Sequence, residues 1–308
     1  MKKTRKSKVL PVFLVLAVLL IAVIALAFFS RSEPPVDPHE GQVYINDGFG
    51  MVWMTPLEGV DVNDIAQGEI VKYNGVPKYV GDAYTTLRGV DVSEHQYEID
   101  WKAVADSGVD FAYIRIGYRG YTKGGLFEDP YFKANIEGAK ANGLKAGVYF
   151  FSQAITVTEA IEEAEYVVKL LGDYTVDLPI IYDWEKMEEA GADARTYQLD
   201  KDILDACAVA FCETIKNAGY EPGVYFNRYI GYYGYDLSRL TAYKFWLAVP
   251  GDFPDFYYAA DIWQYSFEET VPGISTPTDM NLMFIPKAPP VETAEPNNYV
   301  GLSMMCYT

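Results

Sequence analysis

The sequence predicts an α/β protein whose main body is an irregular eight-stranded β/α barrel with incomplete helices in its last third. Three observations lead there. Eight short apolar runs of strand character follow one another from Arg88 onward. Stretches of helical period fill the gaps between the first five, which implies parallel strands covered by helices. No glycine-rich phosphate loop follows the first run, as it would in a doubly wound open sheet. Eight strands alternating with helices are enough to close a TIM-like cylinder.

Taken in order, the chain opens with Lys2, Lys3, Arg5, Lys6 and Lys8, followed by an uncharged apolar run from Val9 to Phe29. A run of this length can cross a bilayer with its basic flank cytoplasmic, and it exceeds the apolar region of a secretory signal. Residues 1–31 therefore read as a membrane-spanning signal-anchor, single-pass, with all that follows outside the cytoplasm. The small residues Ala25 to Ala27 offer a site for cleavage, which would release a secreted protein instead.

Residues 32–41 form a Pro-rich linker, and 42–87 a small β-rich extension. Within it, "EIVKYNGVPKYV" carries Asn74-Gly75 between alternating arms, a hairpin signal. So short a segment rarely holds its own core and is expected to pack on the next domain.

The barrel occupies 88–285. Its strand runs are "GVDVS" (89–93), "FAYIRIG" (111–117), "KAGVYFF" (145–151), "LPIIYDWE" (178–185), "PGVYFN" (222–227), "FWLAV" (245–249), "DIWQYS" (261–266) and "MNLMF" (280–284). Asp129-Pro130 opens one helix, which Asn142-Gly143 stops. Thr158 is the expected N-cap of another. Ile203, Cys207, Ala210, Phe211 and Ile215 mark the apolar stripe of a third. The last three connections are too short, or too rich in Tyr and Pro, for full helices. A Pro-rich tail follows at 286–308.

Half of the 308 residues are hydrophobic and 15% aromatic, which excludes a disordered chain. The formal charge of −18 becomes −24 once the six basic residues up to Arg31 are set aside. That field repels nucleic acid, so no nucleic-acid partner is expected, and it tolerates a neutral polymer such as a glycan. Three cysteines make no disulfide framework; Cys207 and Cys212 diverge around their helix and read as buried free thiols. With only His39 and His95, no histidine-based metal site and no cofactor is expected.

"LPIIYDWEK" carries the chemistry. A buried strand ends in Asp183 and Glu185, two apart and hence on one face, with Trp184 on the other. In a β/α barrel the C-terminal strand ends surround one mouth. Asp91 lies near the end of the first strand, and Asp279 and Asn281 frame the start of the last. Tyr149, Tyr225, Asn227, Trp263 and Gln264 join the same rim as candidate substrate contacts. Carboxyls crowded at one mouth titrate apart, so that one stays protonated near neutrality. One acid and one charge stabiliser, without metal ligands and among sugar-stacking aromatics, suit glycoside hydrolysis.

"RGVDVSEHQYEIDWKAVADSGVDFAYIRIGYRG", "GLKAGVYFFS", "PIIYDWE", "GVYFN" and "WQYS" with "GISTPTDMNLM" resemble, in order, glycoside hydrolase family 25, the lysozymes or N-acetylmuramidases. The resemblance covers about Arg88 to Phe284. It implies a β/α barrel that cuts the β-1,4 bond between N-acetylmuramic acid and N-acetylglucosamine in peptidoglycan. Glu185 matches the family's proton donor and Asp183 the carboxylate two residues before it. Asp91 and Asp279 match the acids of the first and last strands, and Tyr149 and Tyr225 rim aromatics. Where the family often reads His-Gln-Gly, this chain has His95-Gln96-Tyr97, a departure that removes no carboxylate. The competing reading is an ectodomain that holds wall glycan without cutting it; a chitinase-like barrel is a third, but the longer acidic strand motif typical of chitinases is absent before Asp183.

Overall fold

The structure is a computed structural model that describes residues 9–29 and 37–287. The basic stub at 1–8, residues 30–36 of the linker region and the tail from 288, with Cys306, lie outside the described residues. The chain divides into two compact units, the first of residues 1–44 and 53–56, the second of 45–52 and 57–308.

In the first unit the apolar run forms α1 (Val9–Phe29), its side chains described from Val15 to Ala25. Over the described residues, no helix is long and apolar enough to cross a membrane. The His39 ring stacks on Trp53 at 4.0 Å, and Tyr44 tilts against the same indole. The strands β1 (Val43–Asn46) and β2 (Met51–Met54) are divided between the units, and the turn joining them belongs to the second.

The second unit begins its own hairpin at β3 (Ile70–Tyr73) and β4 (Val76–Tyr79), paired antiparallel. Asn74 and Gly75 both take positive φ, 51° and 84°, the geometry an Asn-Gly hairpin turn requires. Upstream, Asn63 pairs its N–H with Tyr257 O at 2.9 Å and its amide with the carbonyls of Pro254 and Phe256. Tyr79 meets Tyr84 and Phe284 edge-on. This stretch therefore rests on the barrel through paired backbone as well as apolar contact.

The barrel strands are β5 (Tyr84–Val92), β6 (Phe111–Arg119), β8 (Lys145–Ser152), β9 (Ile180–Trp184), β10 (Pro222–Asn227), β11 (Lys244–Ala248), β12 (Ile262–Glu269) and β13 (Thr278–Pro286). A short β7 (Leu126–Glu128) pairs with the far end of β6. The ring closes in that order, β13 returning to β5 and β5 to β6. Four helices cover the first half: α2 (Trp101–Asp106), α3 (Phe132–Ala141), α4 (Val157–Leu171) and α5 (Lys201–Asn217). After β10, among the described residues, there are only a π turn at Ile230–Gly234 and a short 3-10 turn at Leu237–Arg239. Cys207 and Cys212 are free and buried on α5.

The ring departs from the all-parallel expectation at one strand. β13 runs antiparallel to both of its neighbours. The connection at 270–277 is shorter than the dozen or so residues that a parallel crossover needs, so the chain turns back directly. The N-cap of α4 also differs. Thr156, not Thr158, stands in extended geometry and accepts from Glu159 N, because Glu159 reaches back to the Ile155 N–H at 2.8 Å and fixes the start there.

Alternation along the strands sorts the side chains. Phe111, Tyr113, Ile181, Ile262, Trp246 and Met283 point inward and pack together as the barrel interior. Glycines make room for the rings: a Cβ on Gly89 would lie 2.2 Å from the Phe111 ring, and one on Gly147 2.5 Å from Tyr113. The interior is thus filled below the mouth, and only the uppermost inward positions are free to be polar.

Candidate active site

Those uppermost positions converge. A cavity of about 410 Å³ opens at the C-terminal strand ends, lined by Asp91, Asp183, Glu185 and Asp279 together with Tyr149, Tyr225 and Gln264. Three of them arrive by the same two-residue step. Asp91 stands two beyond Gly89 on β5, Asp183 two beyond Ile181 on β9, and Gln264 two beyond Ile262 on β12. Asp279 arrives differently, since reversal of β13 carries its N-terminal end to the mouth, in register with Asp91.

Asp91 is held by two amides, Asn281 Nδ2 at 2.7 Å and Gln264 Nε2 at 2.9 Å, both on Oδ2. Gln264 also reaches Asp279 Oδ2 at 3.3 Å and accepts from the Tyr225 hydroxyl at 3.0 Å. Asn281 accepts in turn from Trp246 Nε1 at 2.8 Å. The side-chain orientations at one wall of the cavity are therefore set by a continuous chain of donors and acceptors.

Electrostatics separate the four acids. Burial pushes Asp91 up to about 6, against the two amide donors that favour its charged form. Burial, the nearby charges of Asp91 and Glu185, and a hydrogen bond with Asp91 push Asp279 up to about 8. Burial and the Asp91 charge raise Glu185 to about 7. Asp183 is raised well above the usual carboxylate range by burial, then by Glu185 and Asp91, with Arg115 pulling the other way. Its Oδ1 is buried without a hydrogen-bond partner. Glu185 stands just past the end of β9 and is half-buried, so its proton can reach the cavity.

Two sequence candidates lie elsewhere. Trp263 is fully buried, donates its indole N–H to Val249 O at 2.7 Å and does not line the cavity. It alternates with Gln264, so when one enters the mouth the other must face away. Asn227 ends β10 exposed, and its side chain turns back to accept from Ile230 N at 2.9 Å, capping the following turn. Conversely, Arg115 and Trp246 line the cavity unforeseen. Arg115 pairs with Asp129 and Glu94, each at 2.8 Å, and stacks over Tyr118. An Arg inside the apolar run "FAYIRIG" was the available signal, because a charge at a buried strand position needs partners. Among the described residues, no group of three or more His, Cys, Asp and Glu could hold a metal ion.

The sequence profile of the glycosyl hydrolases family 25 matches residues 90–274, more than half of the chain. The chain belongs to glycosyl hydrolase family 25. It is 28% identical over 218 residues to lysozyme M1 of Streptomyces globisporus, covering 66% of this chain and 69% of that protein. It is 27% identical over 212 residues to the uncharacterized YegX of Escherichia coli K12, covering 64% and 69% respectively. The fold superposes on the modular autolysin LytC of Streptococcus pneumoniae with a TM-score of 0.54 and 26% identity, over 79% of this chain and 56% of LytC. The family segment contains Asp91, Asp183 and Glu185, while Asp279 on β13 lies beyond its end.

Proposed function

We propose that the protein is a lysozyme-type glycosidase that cleaves the β-1,4 bond between N-acetylmuramic acid and N-acetylglucosamine in bacterial peptidoglycan. The observation that carries this reading is Glu185, holding a proton near neutrality, two residues from Asp183, whose buried Oδ1 has no partner. Family membership, the likeness to lysozyme M1 and the likeness to LytC, which has been solved with a synthetic peptidoglycan ligand, support the substrate class.

In this reading Glu185 gives its proton to the leaving glycosidic oxygen. The free Oδ1 of Asp183 accepts the N–H of the substrate's 2-acetamido group. That donor favours the ionised carboxylate, which then steadies the acetamido oxygen as it closes on the anomeric carbon. Glu185, now a carboxylate, takes a proton from the water that opens the intermediate. Asp91 supplies negative charge beside the developing oxocarbenium centre, and Asp279, Tyr149, Tyr225 and Gln264 hold the sugar. NMR of the first product decides between this route and direct attack by water: retained configuration supports it, and inversion replaces it. Turbidity of purified cell walls, wild type against Glu185→Gln, separates an enzyme from a binder, since a binder would treat both alike.

We further propose that residues 1–31 anchor the protein in the cell membrane with the barrel outside the cytoplasm. The uncharged run Val9–Phe29 behind five basic residues supports this. Extraction of native membranes with carbonate would leave an anchored chain in the pellet and release a cleaved one.

A further inference from the structure

The turn between β1 and β2 raises a separate question. Phe49 is 83% exposed at its tip, although nothing about the turn is loose. Asp47, itself buried, accepts the N–H groups of Phe49 at 2.9 Å and Gly50 at 3.0 Å on one carboxylate oxygen. Its other oxygen accepts the Tyr233 hydroxyl at 2.8 Å. Gly48 takes φ 98°, a conformation that other residues rarely adopt. Asn46 donates to Asp255 Oδ2 at 2.8 Å, and Arg228 pairs with the same oxygen at 3.2 Å. The turn is thus clamped to the segment after β10, and the clamp presents an apolar ring to water.

Two further rings extend it. Tyr229 meets Phe49 edge to face at 5.9 Å, and Tyr233 lies 5.2 Å from Tyr229. Both tyrosines are close to half exposed. The three rings come from chain segments almost two hundred residues apart, and only Tyr229 and Tyr233 fall inside the family's matched segment. A fixed, exposed aromatic cluster rimmed by Arg228, Asp255 and tyrosine hydroxyls is a recognition surface rather than a folding element. Its mixture of ring faces and hydrogen-bonding groups suits a sugar polymer, and the acidic chain disfavours an anionic lipid or nucleic acid. Position gives the same answer. Tyr225 enters the cavity from β10, and Tyr229 begins the loop that leaves the same strand end at the mouth.

We infer that Phe49, Tyr229 and Tyr233 form an accessory glycan-binding platform that holds a peptidoglycan strand outside the cleft. This rests on the reading of the cleft as a muramidase site. The platform adds grip on long chains and leaves the chemistry untouched.

The test uses the full chain in detergent. In a Glu185→Gln background, sedimentation with insoluble glycan stripped of its peptides measures binding without turnover. Phe49→Ala with Tyr229→Ala weakens that binding about tenfold. Tyr233→Phe keeps the ring but breaks the clamp on Asp47, and gives a smaller loss. In the active protein the double variant raises KM on polymeric glycan by a similar factor, with kcat kept, and cleaves short soluble fragments like wild type. Equal sedimentation of single, double and parent chains overturns the platform. So does an equal loss on short fragments, which would mean damage to the cleft. Absence of turnover by wild type would instead remove the muramidase reading, while sedimentation would still report on the platform.

Discussion

Asp91 and Asp279 face each other across the antiparallel ladder of β5 and β13, and Gln264 Nε2 bridges them, 2.9 Å from one carboxylate and 3.3 Å from the other. Two buried carboxyls in register cannot both ionise cheaply. The proton belongs mainly to Asp279, because Asp91 has the amide donors of Asn281 and Gln264 to stabilise its charge.

Stability follows from this with a definite sign. Both groups have folded pKa values above their ordinary ones, so the folded protein binds more protons than the unfolded chain between about pH 4 and 8. Stability is therefore full below that window and falls as pH rises through it. Asp279→Asn removes the carboxyl that is raised to about 8 and flattens the slope. Thermal melts should show the variant stabilised relative to wild type at pH 8 by on the order of 1–2 kcal/mol, with the difference shrinking toward pH 4. A variant less stable than wild type at pH 8 would show that the asparagine loses more contact than it relieves repulsion.

Activity should be bell-shaped and narrow. The acid limb reports loss of the Asp91 charge near 6 together with that of Asp183, which burial also raises, and the alkaline limb loss of the Glu185 proton near 7. The optimum of kcat/KM on soluble glycan fragments should lie between them. A plateau reaching above pH 8 would exclude Glu185 as the acid titrating in the free enzyme.

The amide clamp makes that profile tunable. Asn281→Ala removes a donor that holds Asp91 down, and leaves Trp246 Nε1 without its acceptor. The acid limb should move to higher pH while the alkaline limb stays, so the window narrows from one side. Activity at pH 6 should fall several-fold more than at pH 7. A uniform loss at all pH values would point to disordered packing of Trp246 instead.

How much of this was legible depended on which physical rule governed each residue. Asp91, Asp183 and Glu185 could be placed from alternation alone, since each ends an apolar run in a parallel strand. Asp279 was legible as a candidate, but its register with Asp91 was not, because it depends on β13 turning back over a short connection. Asn227 looked like a rim residue until the turn after β10 claimed its side chain. Trp263 and Gln264 are adjacent, and only the frame of the strand decides which one enters the mouth. The Asp47–Tyr233 clamp joins residues too far apart for any local pattern to connect.

Packing beneath the mouth offers a further test. A methyl on Gly89 would meet the edge of the Phe111 ring at 2.2 Å, and the ring is fully buried. Overfilling of this kind costs about 1–3 kcal/mol. Gly89→Ala should lower the denaturation midpoint accordingly, and Phe111→Leu in the same chain should recover part of the loss by making space.

Glu185 is held through its main chain. Gln153, fully buried, donates its side-chain amide to Glu185 O at 2.8 Å and to Ser152 O at 2.9 Å, and accepts from the Thr196 hydroxyl at 2.9 Å. One side chain thereby ties the end of β8 to the backbone of the acid and to the loop that follows it. Truncation in Gln153→Ala leaves these groups unpaired, at about 1–3 kcal/mol for each buried one, and frees the Glu185 main chain. A displacement of the acid of even an ångström is costly to proton transfer. The expected outcome is a fall in kcat of about tenfold or more on short glycan fragments, with KM little changed and the melting temperature lowered. Thr196→Val removes only the outer contact and should lower stability with a much smaller effect on kcat. If both variants lost stability equally and kept full kcat, Gln153 would be a support of the fold with no hold on the acid.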